Sequence, residues 1–318
     1  MYRSQLHNGI LHRYEQNVCQ QRFIEGLPPL TIVLIGISVF MHAGWNLLAH
    51  ARRSDGMLLM RAMLITGLIG ALPALILEWR GPAFPAQVWG LLALTGICQA
   101  VYFFGLTKGY SRGDFTVVYP LARALPVLFL ALVDLARGRV PSPLGWAGML
   151  LVVAGCALAP LESLRGITLA RYRSRALLWV LVTALGTVGY TAIDKIAAEA
   201  LPPGPLTAAR YQVVEVIATI PFLWLALRLA GQRLTERGEA QWRWAAVAAL
   251  FIFGAYWLVL WAYQLSPFAS YISALRQFSI VIGVVVAAVV LHEPAPWLRI
   301  GAALVIVAGI VCIAFAVA

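Results

Sequence analysis

Charged side chains are scarce in this sequence. They make up 12% of its 318 residues, while 61% are hydrophobic. A soluble domain carries about 25% charged residues, so a water-soluble globular fold is excluded and a polytopic membrane protein takes its place. Acids are scarcer than bases, 13 against 24, for a formal net charge of +11. That excess does not point to nucleic acid. It sits in short loops between apolar runs, where it sets topology and meets anionic lipid. Cysteine is rare too. Cys98, Cys156 and Cys312 lie inside apolar runs, Cys19 precedes them, and no pair has Cys-x-x-Cys spacing. A disulfide framework and a metal site are therefore not expected, and the thiols act as small apolar residues. There is no Walker motif for ATP hydrolysis, and no Asp/His cluster at membrane depth for a lipid-modifying enzyme. No cofactor and no enzymatic activity are implied.

What the sequence has in abundance is long apolar runs. They cover residues 30–50, 56–78, 86–108, 115–136, 142–160, 174–196, 206–229, 243–265, 267–291 and 296–316. Each is long enough to cross a hydrocarbon core of roughly 30 Å, some with tilt. The breaks fall at Pro-, Gly- and Arg-rich points such as Gly81-Pro82 and Pro202-Pro203-Gly204. Residues 1–29 are polar, lack a signal-peptide pattern and read as a tail.

The two halves repeat. At a shift of 153 positions, Tyr110 falls on Tyr263, Phe115 on Phe268 and Arg123 on Arg276. Gly44-Trp45-Asn46 answers to Gly189-Tyr190-Thr191, and Gly155 to Gly309. An odd number of helices per repeat forces opposite orientations, and inverted repeats with a midplane site are an alternating-access arrangement. The expectation is an all-α integral membrane fold of ten transmembrane helices in two inverted five-helix repeats. The tail would cover residues 1–29, the first repeat 30–160, a connecting loop 161–173 and the second repeat 174–316.

Particular stretches also resemble a known family. Phe40-Met41-His42-Ala43-Gly44-Trp45-Asn46-Leu47-Leu48-Ala49, Val118-Tyr119-Pro120-Leu121-Ala122-Arg123, Ala274-Leu275-Arg276 and Leu291-His292-Glu293-Pro294 are similar to the EamA branch of the drug/metabolite transporter (DMT) superfamily. The resemblance spans residues 30–316. It implies the same ten helices and the transport of small metabolites, often amino acids or their derivatives, usually as export. Arg123 replaces the small or polar residue usual at its position in other branches, so their substrate contacts do not carry over.

Charges inside the apolar runs are the candidates for function, because a charge at membrane depth is costly. Arg61 and Arg210 lie near run starts and read equally well as snorkelling residues. Arg123 and Arg276 lie about 12 Å along their helices at about 1.5 Å per residue. They are expected either to hold substrate or to pair with Glu215 or backbone carbonyls. Glu215 reads as the only acid deep in the second half, and Asp134 as interfacial. His42, Trp45 and Asn46 share one helix face; hydrogen-bonded packing competes with function there. Tyr102, Tyr256 and Trp257 supply aromatic edges, and Tyr119 and Tyr271 precede the matched arginines by about one turn. These ten residues, with Arg123 and Arg276 foremost, form the expected substrate site. Glu215 and His42 are the expected proton-coupling groups, and no metal ligand set is expected.

The arginine excess favours a ligand carrying carboxylate or phosphate. The expected activity is a secondary transporter, exporting a small anionic or zwitterionic metabolite by alternating access. An amino acid, a derivative, or an amino-acid-based metallophore fits that class. A flippase for a lipid-linked carrier is the alternative, ahead of an integral-membrane lipid-modifying enzyme. The partners implied are the small-molecule substrate and membrane lipid, with a homodimer allowed and nucleic acid not expected; the location is the inner (plasma) membrane. Basic residues are more numerous in loops opposite the termini, which favours both termini outside, whereas the family resemblance implies both inside.

Overall fold

Every apolar run carries helix. The computed structural model describes residues 28–52, 57–112, 115–159, 161, 175–232, 239–289 and 297–316; the expected tail and most of the connecting loop lie outside them. The helices are α1 (Pro29–Ala51), α2 (Leu58–Arg80), α3 (Ala86–Arg112), α4 (Phe115–Ala136) and α5 (Pro143–Leu158), then α6 (Arg175–Ala200), α7 (Pro205–Leu229), α8 (Glu239–Leu265), α9 (Ala269–Leu275), α10 (Phe278–Val289) and α11 (Trp297–Phe315). No strand occurs among the described residues. Among the described residues, eight segments are long and apolar enough to cross a membrane, with α9 and α10 forming one of them. Helix is the form these runs must take in lipid, because it pairs every backbone polar group within its own segment. The outward surface suits that solvent: Leu68, Ile69, Leu72 and Leu75 of α2 are exposed apolar side chains. The chain is a multi-pass membrane protein.

Local chemistry sets the ends. Ser142 caps α5, its hydroxyl accepting from Gly145 N at 3.1 Å, with Pro143 at the first helical position. Pro205 opens α7 behind Gly204, whose φ of 155° suits glycine. Asp134 departs from the expected interfacial role. It is fully buried, and its carboxylate accepts from Ala269 N at 3.3 Å and Ser270 N at 2.9 Å, capping the start of α9. α6 runs to Ala200, beyond the apolar run that ends near 196, so Asp194 and Lys195 sit inside the helix and not at its end.

Four seams between the halves are antiparallel. On α5 and α11, Gly148 lies against Gly309 and Gly155 against Ala302. On α3 and α6, Gly105 meets Thr183 and Gly186 meets Tyr102. On α1 and α8, Gly44 meets Phe251, and the Ser38 hydroxyl donates to the Ala255 carbonyl at 2.7 Å. On α2 and α7, Gly67 meets Ile217 and Gly70 meets Val213. In each seam the residue numbers of one helix rise as those of the other fall. The main contacts are α3 with α6 and α8 with α1, α3 with α7 and α8 with α2, α4 with α6 and α10 with α1, and α5 with α11. Exchanging each helix for its counterpart in the other half returns the same set.

Small residues set the closeness of these seams. A Cβ built on Gly309 would sit 2.6 Å from the Gly148 carbonyl oxygen and 2.8 Å from Val152 N, whereas one on Gly301 of the same helix meets nothing within 4 Å. Gly309→Ala must push two backbones apart, at a cost of about 1–3 kcal/mol. Thermal unfolding in detergent should show a lowered midpoint for Gly309→Ala and none for Gly301→Ala.

Candidate functional site

The ninth run is interrupted at Arg276–Gln277, where α9 stops and α10 begins. No proline or glycine causes the break. Gln277 N bonds the Ala274 carbonyl at 3.0 Å and Ile280 N the Gln277 carbonyl at 2.8 Å, both three residues back. This tightened turn is a 3₁₀ feature, which in mid-helix marks a functional or strained point. A side chain from the first half meets the carbonyl at the break: Arg123 Nη2 donates to the Arg276 oxygen at 3.0 Å, and Arg123 Nε to Gln277 Oε1 at 2.8 Å. Irregular backbone at membrane depth is tolerable where protein or a cavity meets it. α4 itself carries Pro120 and Pro126. Pro126 lines one of the cavities described next.

The matched arginines meet around one histidine. Arg123 Nη1 contacts His42 Nε2, and Arg276 Nη2 lies 3.5 Å from His42 Nδ1. Trp45 Nε1 donates to the same Nδ1 at 3.2 Å, with the two rings edge to face. Asn46 Nδ2 donates to the His42 carbonyl at 2.7 Å. The Arg276 guanidinium lies 5.6 Å over the Tyr256 ring, and its Nε has no hydrogen-bond partner although Arg276 is 7% exposed. Among the described residues no ion pair forms at Arg276. The ion pairs among the described residues lie elsewhere, with Arg137, Arg139 and Lys195 on Glu199, and Arg210 on Glu78.

Two small cavities of about 30 Å³ each flank this cluster, both lined by His42, Tyr102, Tyr190 and Arg276. One adds Arg123, Thr183, Thr187, Ser273 and Gln277; the other adds Trp45, Gln99, Gln212, Glu215 and Tyr256. Each has room for roughly two waters, so a metabolite enters only if the helices part. Tyr190 stands in the middle, 5.4 Å from the Tyr102 ring and 5.5 Å from the Tyr256 ring.

Behind Tyr256 lies an acidic cluster. Asp194 Oδ1 accepts from Thr95 Oγ1 at 2.7 Å and from Tyr211 OH at 2.9 Å, and its Oδ2 accepts from Tyr256 OH. Gln99 Nε2 donates to Glu215 Oε1, while Glu215 Oε2 has no hydrogen-bond partner. Both acids are fully buried.

Arg123, Arg276, His42, Trp45, Tyr102 and Tyr256 thus converge, with Asn46 behind His42. Tyr271 and Trp257 do not line the cavities. The Tyr271 hydroxyl accepts from Ser142 N at 3.3 Å and its ring packs on Phe268, while Trp257 Nε1 donates to the Pro205 carbonyl at 2.8 Å. The side chain of Tyr119 lies outside the described residues. Glu215 is not the lone deep acid expected, since Asp194 is its neighbour. Asp194, Tyr190, Gln99 and Gln277 were missed. Asp194 was readable only with the true end of α6, and the uncharged three carry no depth signal.

Residues 174–315 match the family model of the EamA-like transporter family. Over those residues, a little under half of the chain, the sequence is similar to that family. The matched stretch holds Asp194, Glu215, Tyr256 and Arg276, and the first half supplies His42 and Arg123. No curated protein matches the chain. A protein of known crystal structure is similar in fold, with a TM-score of 0.64 at 16% identity, covering 89% of this chain and 95% of the other.

Lysine cannot reproduce the fork by which Arg123 spans Gln277, the Arg276 carbonyl and His42. Arg123→Lys should therefore lose about 1–3 kcal/mol of stability, the value of one or two hydrogen bonds from a charged donor. Thermal unfolding of the detergent-solubilised protein reads this; an unchanged midpoint would show that the bridge across the break contributes nothing.

Proposed function

We propose that this protein is an EamA-family secondary transporter that exports a small zwitterionic or anionic metabolite across the inner (plasma) membrane, an amino acid or a derivative, by alternating access. One observation carries the reading. Two guanidinium groups from equivalent positions of the two halves meet at His42, beside cavities, and the Arg276 Nε lacks a partner. A carboxylate is the ligand that answers a guanidinium bidentately. The architecture supports the mechanism. Antiparallel seams between the halves, two of them joining counterpart helices, and contacts that survive exchange of the halves are what two inverted five-helix repeats within 30–160 and 174–316 would produce. Such repeats rock about a site at their interface, and the arginine pair sits at that interface. The cavities, closed to a metabolite as they stand, open when the halves tilt apart.

A second reading, a flippase for a lipid-linked carrier, draws on an apolar groove of about 400 Å³ between α2, α7 and α8, lined by Ile69, Pro73, Arg210 and Phe253 among others. That groove does not include Arg123 or Arg276. Proteoliposomes loaded with a panel of radiolabelled amino acids separate the two. Transport should occur for at least one member, and Arg123→Ala and Arg276→Ala should each lower it about 10- to 100-fold, the equivalent of a lost charge-assisted contact of roughly 1.5–3 kcal/mol, with membrane insertion intact. Normal transport by Arg123→Ala would reduce that arginine to a structural brace. Lipid scrambling that survives in both variants, without amino-acid transport in the parent protein, would favour the flippase.

A further inference from the structure

We propose that Asp194 and Glu215 form a proton-sharing carboxyl pair that exchanges its proton for the ammonium group of the substrate. The proposal rests on the transport reading above and names what the opposite pole of the same site does.

The two acids come from α6 and α7, both fully buried, and their carboxyl groups lie close enough to interact directly. Three of their four oxygens receive hydrogen bonds from neutral donors: Thr95 and Tyr211 on Asp194 Oδ1, Tyr256 on Oδ2, Gln99 on Glu215 Oε1. The fourth, Glu215 Oε2, has none, and Glu215 lines the cavity shared with His42 and Arg276. Two adjacent carboxylates without a cation cannot both be ionised in an apolar interior. A proton on Glu215 Oε2 removes one charge and provides the missing hydrogen bond, donated across to Asp194.

The other titratable groups around the pair do not neutralise it. Cys98 faces it from α3, Tyr211 from α7, and Tyr256 and Tyr263 from α8. Lys195, next to Asp194 on α6, turns the other way, to the carbonyls of Tyr263 and Ser266 and to Glu199. Arg276 from the α9–α10 break stacks on the ring of the same Tyr256 whose hydroxyl reaches Asp194, and makes no ion pair with either acid. Arg123 from α4 is engaged with Gln277, the Arg276 carbonyl and His42. His42 from α1 faces donors at both ring nitrogens, and an imidazolium there would set a third positive charge between two guanidinium groups. The acid pair is the better seat for an exchangeable proton.

The step balances. The substrate arrives as R–NH₃⁺ with its carboxylate toward the arginines. The Glu215 O–H bond breaks, its electron pair stays on oxygen, and the proton leaves to water. The doubly ionised pair is then offset by the ammonium, and the proton returns when the substrate departs. A pH difference of one unit across the membrane can then drive about tenfold accumulation, since one pKa unit is worth 1.36 kcal/mol.

The test is infrared difference spectroscopy of the purified protein in lipid nanodiscs at neutral pH, in H₂O and D₂O, with gradient-driven uptake of the amino-acid panel measured in parallel. The expected result is a deuterium-sensitive carbonyl band of a protonated carboxylic acid in the parent protein, lost in Glu215→Gln and shifted in Asp194→Asn. Both isosteric variants should also lose the pH-driven accumulation. Absence of the band in the parent protein, which needs no variant to fold, overturns the proposal, as does a band unchanged in both variants. Transport without the band leaves the transporter reading standing and removes the pair; the band without transport of any panel member supports the pair and removes the transporter reading.

Discussion

Burying a guanidinium in the middle of a membrane protein is the constraint on which this structure turns. Estimates of the cost range from a few kcal/mol upward, and here it is met twice in one place. Arg123 is held by the opposite half at the break, through Gln277 Oε1 and through the Arg276 carbonyl, whose bond from its own helix, Ser279 N at 3.3 Å, is the longer one. Arg276 sits at that break and leans on a tyrosine face. Each arginine is therefore part of the reason the other's surroundings are stable. At a helix interrupted without proline or glycine, the first half adds a charged donor to a carbonyl that its own helix bonds only at 3.3 Å.

The rest of the bundle brings those parts together. Glycine-lined antiparallel seams, Gly148 on Gly309 and Gly186 on Tyr102 among them, let helices approach until backbones nearly touch. Asp134 pins the start of α9 from the end of α4, the helix that carries Arg123. A shift of α4 against the second half is thus felt at the cap and at the break together. The cavities form where the two halves meet around His42, with positive groups on one side and the Asp194–Glu215 cluster behind Tyr256 on the other. Two opposed poles around a tyrosine wall match a small zwitterion better than a simple anion.

Much of this was legible in the sequence. The apolar runs locate the helices, because the bilayer leaves few alternatives. The 153-residue shift that superposes Arg123 on Arg276 predicted their meeting, and the structure joins them at His42. The interior of the site was harder to read. The break at Arg276–Gln277 carries no proline or glycine to mark it. Asp194 sits near the end of an apolar run, and only the continuation of α6 to Ala200 places it at depth. Asp134 looked interfacial because it is near the end of α4, yet the partner that buries it, the start of α9, is 135 residues away. Gln99 and Tyr190 are polar or aromatic residues of ordinary kind, significant only through their neighbours.

The account's central claim is that the arginine pair recognises a carboxylate. Ligand-induced thermal stabilisation of the purified protein tests it most directly, with each amino acid of a panel compared against its carboxamide. The account predicts stabilisation by at least one amino acid, none by its carboxamide, and loss of the effect in Arg276→Ala. Equal stabilisation by acid and carboxamide, or an undiminished effect in Arg276→Ala, would contradict it.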